Sequence, residues 1–116
     1  MGRVFGTIRK IVAKIPKGKV LTYGDVARIA GINNPRVVGW ALRGNQDPKI
    51  PCHRVIKKAG FLAEGYSLIG WQEQKRRLEK EAVGFIAENQ VDMKEHHWLK
   101  KQRRTDLRHL GKWVNF

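Results

Sequence analysis

Cys52 and His53 stand side by side in the run Ile50-Pro51-Cys52-His53-Arg54-Val55, and Cys52 is the only cysteine of the chain. A lone thiol forms no internal disulfide and is too little for a thiolate-rich metal site. Two uses remain. One is a small buried apolar side chain, the commoner fate of a lone cysteine. The other is a nucleophile. A thiol attacks well only after losing its proton, and a basic neighbour such as imidazole can take it. In extended backbone, adjacent side chains point to opposite sides. A tight turn or a bridging water is then needed to connect the pair. A histidine base also needs a carboxylate to orient it. Glu81, near the end of a basic helix, is one candidate, and Glu79 is another.

The elements around this pair follow from local signals. Val4, Ile8, Ile11 and Ile15 recur at helical spacing, with Phe5 and Val12 beside them, and Pro16 and Gly18 end that helix. A short extended piece, Lys19-Val20-Leu21, follows. Thr22 then caps a helix with Asp25 in the capping-box position, and the helix runs to about Ala30. Gly31 suits the left-handed residue that ends it. Asn34 and Pro35 start the next helix, which passes through Arg36-Val37-Val38-Gly39-Trp40-Ala41-Leu42-Arg43 and stops at Gly44. Two short helices joined by a tight glycine-containing turn read as a helix-turn-helix. Val38, Ala41 and Leu42 can face the core. Arg36, Gly39, Trp40 and Arg43 share the opposite face, a mixture that suits nucleic acid.

Asn45 to Pro51 is a loop with two prolines, and Arg54-Val55-Ile56 a short strand turned by Gly60. Phe61 to Gly70 is irregular. Trp71 to about Ala82 reads as a basic helix with Leu78 inside and Lys75, Arg76 and Arg77 outside. Phe85 to Met93 forms a short hairpin around Glu88-Asn89-Gln90. The stretch Lys100-Lys101-Gln102-Arg103-Arg104 is a basic run.

Composition narrows the partners. The chain has 116 residues, 24 Lys+Arg against 10 Asp+Glu, and a formal net charge of +14. Such a charge on one small domain favours a polyanion, nucleic acid before anionic membrane. No apolar run is long enough to span a membrane, and a single cysteine fits a reducing compartment.

Five elements in order, Ile15-Pro16-Lys17-Gly18-Lys19-Val20, Thr22-Tyr23-Gly24, Arg36-Val37-Val38-Gly39, Arg43-Gly44-Asn45 and Pro51-Cys52-His53-Arg54-Val55, make the chain resemble the DNA-binding and active-site domain of the O6-alkylguanine-DNA alkyltransferases, from about Val4 to Val83. The resemblance implies a mainly α fold with short strands, a winged-helix-like DNA-binding domain with a helix-turn-helix that enters the minor groove. It implies that Cys52 accepts an alkyl group from the guanine oxygen and keeps it as a thioether, so each molecule acts once. His53 would take the thiol proton through a water, Glu81 would orient the imidazole, and Asn45 would tie the active-site turn together. Tyr23 would lie near the flipped nucleotide, and Arg36 would fill the place of the extruded base, since the target atom is unreachable inside a duplex. Gly39 would allow close approach to the groove, with Arg43 beside it and Tyr66-Ser67 as the remnant of a substrate loop. Trp40 departs from the demand for small side chains. A groove contact, an aromatic wedge and a ring folded back on the core are open to it, the last being favoured.

The resemblance also has a second branch. Leu68-Ile69 stands where a substrate loop would carry glycine, and the expected organisation is without the extra N-terminal domain of many family members. The stretch from Gly70 through Gln74-Lys75-Arg76-Arg77-Leu78 to Glu81-Ala82-Val83, with Val91-Asp92-Met93 and His97-Trp98 beyond, is similar to the alkyltransferase-like proteins. Those bind alkylated guanine without an acceptor cysteine and flag it for nucleotide excision repair. The expected organisation is a domain over 1–95 and a basic tail over 96–116. The expected partners are double-stranded DNA containing O6-alkylguanine and nucleotide excision repair proteins, with no cofactor, no metal and no membrane. His96, His97 and His109 are assigned to the tail, the adjacent pair as solvated side chains. The protein is expected to be a monomer in the cytoplasm at the nucleoid, or in the nucleus.

Overall fold

The first helix, α1 (Gly2–Ala13), buries Ile8, Ile11 and Val12 along one stripe, as its apolar spacing predicts. In the computed structural model, which describes residues 2–62 and 70–99, that stripe packs on α2 (Tyr23–Ile29) and α3 (Arg36–Arg43). The Thr22–Asp25 capping box is formed in both directions: Asp25 N–H donates to Thr22 Oγ1 at 3.0 Å, and Thr22 N–H donates to Asp25 Oδ2 at 2.9 Å. Such a cap contributes about 1 kcal/mol. Gly31 takes φ +75° and ends the turn after α2. The start of α3 lies one residue later than the sequence suggests. Pro35 already has helical dihedrals, and the Asn34 side chain accepts from Arg36 N–H at 3.0 Å. Helices α2 and α3 form the helix-turn-helix.

Two short strands, β1 (Leu21–Thr22) and β2 (Val55–Ile56), pair in parallel with Leu21 opposite Val55. Successive side chains of a strand face opposite sides. Leu21 and Val55 therefore join the core of α1, α2 and α3, while Val20 and Ile56 join a second core with Leu62, Leu78, Val83 and Val91. The strand pair is the wall between the two. The second core is closed by α4 (Trp71–Lys80) and by the predicted hairpin, seen as β3 (Phe85–Ala87) and β4 (Gln90–Val91). Lys75 ties α4 to this hairpin, with Nζ 5.0 Å from the Phe85 ring centroid.

Three expectations need correction. Arg54 is not part of the strand: Cys52–Arg54 is a single 3₁₀ turn leading into β2. A short helix, α5 (Met93–His96), follows the hairpin where none was expected, started by the Asp92 side chain accepting from Lys94 N–H. His96, the last residue of α5, and His97 after it are not a solvated pair. His96 is held between Gly84 N–H and the Gly18 carbonyl, both at 2.9 Å, and His97 Nε2 lies 2.7 Å from Asp25 Oδ2. Burial alone would raise the Asp25 carboxyl, but its bonds to His97 and Thr22 outweigh this and hold it below the ordinary range. Among the described residues, no helix is long and apolar enough to cross a membrane.

Candidate active site

The 3₁₀ turn places Cys52 and His53 in the lining of a cleft of about 1060 Å³ that residues of α3 also line. The turn is fixed from its own backbone. Cys52 N–H donates to the Ile50 carbonyl at 2.8 Å and Arg54 N–H to the Pro51 carbonyl at 2.9 Å. Asn45, just past the end of α3, braces the loop before it. Its Nδ2 donates to the Asp47 carbonyl at 2.9 Å and lies 3.6 Å from Cys52 Sγ. The end of α3 is in turn held by α1, where Arg9 Nε and Nη2 both donate to the Ala41 carbonyl, at 3.1 and 3.0 Å. A cation at a helix C-terminus answers its unpaired carbonyls and its dipole.

Behind the thiol is a charged hub. His53 Nε2 lies 2.8 Å from Glu81 Oε2. Arg54 grips the same carboxylate with Nε on Oε1 at 2.9 Å and Nη2 on Oε2 at 2.7 Å, and its Nη1 donates to the Ile15 carbonyl at 2.6 Å. Burial pushes the Glu81 carboxyl up, but the bonds from Arg54 and His53 outweigh it, so Glu81 is held below the ordinary carboxylate range. A charged carboxylate only accepts. His53 therefore donates its Nε2–H, which leaves the lone pair on Nδ1. Burial lowers the histidine below its ordinary value, against the pull of Glu81, and the Arg54 and Arg77 charges add to the lowering. The ring is thus neutral near pH 7 and able to accept a proton. No direct Cys52–His53 hydrogen bond exists among the described residues.

Burial pushes the Cys52 thiol up, while the Asn45 amide and the charges of Arg9 and Arg77 act the other way. The resting group is a thiol that needs a base, not a preformed thiolate. Arg77, read from sequence as an outward charge, lines the cleft, and its Nε is paired with Glu73 at 2.7 Å. Arg77→Gln is expected to move the pH midpoint of Cys52 alkylation by iodoacetamide upward, with Arg77→Lys near wild type. Identical profiles for all three proteins would show that the charge is not felt at the sulfur.

Of the residues singled out by sequence, Cys52, His53, Asn45, Tyr23, Arg36, Gly39 and Arg43 all line this cleft, and Glu81 stands behind it against His53. Glu79 is exposed, which leaves Glu81 as the partner of the imidazole. Tyr66 and Ser67 lie outside the described residues. Trp40 is not folded onto the core: it is 47% exposed and lines the cleft. Sequence reading missed Arg54 and Gln74. Gln74 is fully buried, and its Nε2 donates to the carbonyls of His53 and Val55 at 3.1 and 2.9 Å. A signal was available: Gln74 lies one helical turn before Leu78, on the buried side of an otherwise charged helix.

Comparison with known proteins shows the family. The family model of the 6-O-methylguanine DNA methyltransferase DNA-binding domain matches residues 4–83, and the chain belongs to that family. Alkyltransferase-like protein 1 of Schizosaccharomyces pombe is 34% identical over 104 residues, covering 84% of this chain and 96% of that protein. A methylated-DNA–protein-cysteine methyltransferase of Methanocaldococcus jannaschii is 44% identical over 78 residues, covering 66% of this chain and 44% of that one. Among solved structures, S. pombe Atl1 in complex with damaged DNA containing O6-carboxymethylguanine superposes with a TM-score of 0.76 at 33% identity, over 84% of this chain and 96% of that one.

Proposed function

We propose that this protein acts in DNA repair by moving the alkyl group of O6-alkylguanine in duplex DNA onto Cys52, once per molecule. One observation carries the reading: the half-buried thiol lining the cleft is followed by a histidine that is paired with the Glu81 carboxylate at 2.8 Å. His53 takes the Cys52 proton through a water at Nδ1. The sulfur then attacks the alkyl carbon in line, the S–C bond forms, and the C–O bond breaks with its electron pair returning to the guanine oxygen. The guanine recovers a proton and leaves unmodified. Arg36 fills the gap in the base stack, Tyr23 borders the extruded nucleotide, and Gly39 lets α3 approach the groove. Exposed Arg36 and Arg43 on the cleft side of α3 suit phosphate and base contacts.

A second reading is supported by two observations. The chain matches nearly the full length of an alkyltransferase-like protein, and burial disfavours the Cys52 thiolate. On that reading the protein binds the lesion and presents it to nucleotide excision repair proteins, with Cys52 idle. The two separate by weighing the protein after incubation with duplex DNA carrying one O6-methylguanine. Transfer adds one methyl group to the wild type and none to Cys52→Ala. Tight lesion binding with no mass change would eliminate transfer and leave the sensor.

A further inference from the structure

Helix α3 runs from Arg36, through Trp40 one turn on, to the end that carries Asn45 and, through it, Cys52. Arg36, Trp40 and Cys52 line one cleft, so a nucleotide extruded beside Arg36 toward Cys52 enters a space that Trp40 borders. Three large apolar side chains are exposed among the described residues, Trp40, Phe61 and Ile86, and Trp40 alone of them lines the cleft. Leaving an indole in water has no packing benefit to the free protein. Gly39 beside it tells the same story. A methyl group built on Gly39 meets no atom within 4 Å, so nothing inside the protein requires glycine there. The helix gives up roughly 1 kcal/mol relative to alanine, and the open space beside Trp40 suits a partner that comes close to the backbone.

We propose that Trp40 is a specificity-determining residue of this cleft: its indole stacks on the extruded nucleotide. The inference rests on the reading of the cleft as a site for a flipped base. Every base has a π face, so stacking is tolerant of base identity. Its selectivity arises from extrusion, because a damaged base whose pairing is weakened leaves the duplex at lower cost. A contact made only with an extruded base therefore strengthens lesion binding more than binding to intact duplex. A phosphate contact, such as Arg43 is placed to make, would act on both alike.

The test compares affinities of wild type, Trp40→Phe and Trp40→Ala for one duplex carrying O6-methylguanine and the same duplex carrying guanine. Circular dichroism melting serves as the control for folding. Trp40→Ala is expected to lose roughly tenfold or more on the lesion duplex and much less on the intact one, with Trp40→Phe keeping most of the difference. Equal losses on both duplexes, or no loss on either, would overturn the proposal while wild type still discriminates. A wild type that binds both duplexes equally would overturn this proposal and the reading of the cleft together.

Discussion

Glu81→Ala is expected to lower folding stability by about 3–5 kcal/mol and to stop transfer to Cys52. The carboxylate accepts from two side chains that are themselves nearly buried, Arg54 at 12% and His53 at 14% exposure. Removing it strands the Arg54 guanidinium with only the Ile15 carbonyl and frees the imidazole to rotate. The pH dependence has a definite sign. A carboxyl held below its ordinary value contributes stability that is complete above the ordinary range and is lost as pH falls through its lowered value. His53 works in the same direction. Its folded value lies below the ordinary 6.5, so the unfolded chain takes up the proton first and stability declines as pH drops below about 6.5. Thermal melts of wild type from neutral to acid should show both declines, and in Glu81→Ala the more acidic one should shrink to the part that Asp25 contributes. A variant that melts like wild type would remove the hub from the account of this fold.

Gly60→Ala is the second large effect, and it is purely structural. Gly60 has φ +99°, and a Cβ built on it would lie 2.7 Å from the Val91 carbonyl oxygen and 3.0 Å from Met93 Cγ. The dihedral costs about 1–3 kcal/mol in a residue with a side chain, and crowding against the backbone of β4 adds about 1–3 kcal/mol. A domain of this size should lose roughly 10 °C or more in Tm. Because the turn at Gly60 supports β4 and α5 but not the cleft, Gly60→Ala at low temperature should still alkylate Cys52. Unchanged melting would show that the turn can adopt another path.

The legible parts of this molecule were those written in short stretches of sequence. Thr22 and Asp25 announce a helix start three residues apart, Gly31 its end, and Asn34-Pro35 the next start, so the helix-turn-helix could be drawn directly. Cys52 and His53 are conspicuous as a pair; the local sequence leaves Glu81 and Glu79 both open, and the family resemblance points to Glu81. Arg54 was hidden because its partners, Glu81 and Ile15, are distant in sequence, and nothing beside it marks its charge as buried. Gln74 was hidden by its helix, whose charge masks the inward stripe. For Trp40 the favoured reading, a ring folded back on the core, fails because the cleft that it lines appears only when α3 and the Cys52 turn are brought together.

The wiring of Arg54 and Glu81 also bears on how a new copy becomes competent. Glu81 follows His53 by 28 residues, and Ile15 precedes Arg54 by 39. A nascent chain delivers Cys52 before it has delivered the carboxylate that steadies its base. Ile15 belongs to one core, and Leu78 and Val83 on either side of Glu81 to the other, so the three segments meet in a domain that folds as a unit. On the transfer reading, an immature or unfolded copy lacks the proton path that arms its thiol, and its one turnover is kept for the folded molecule.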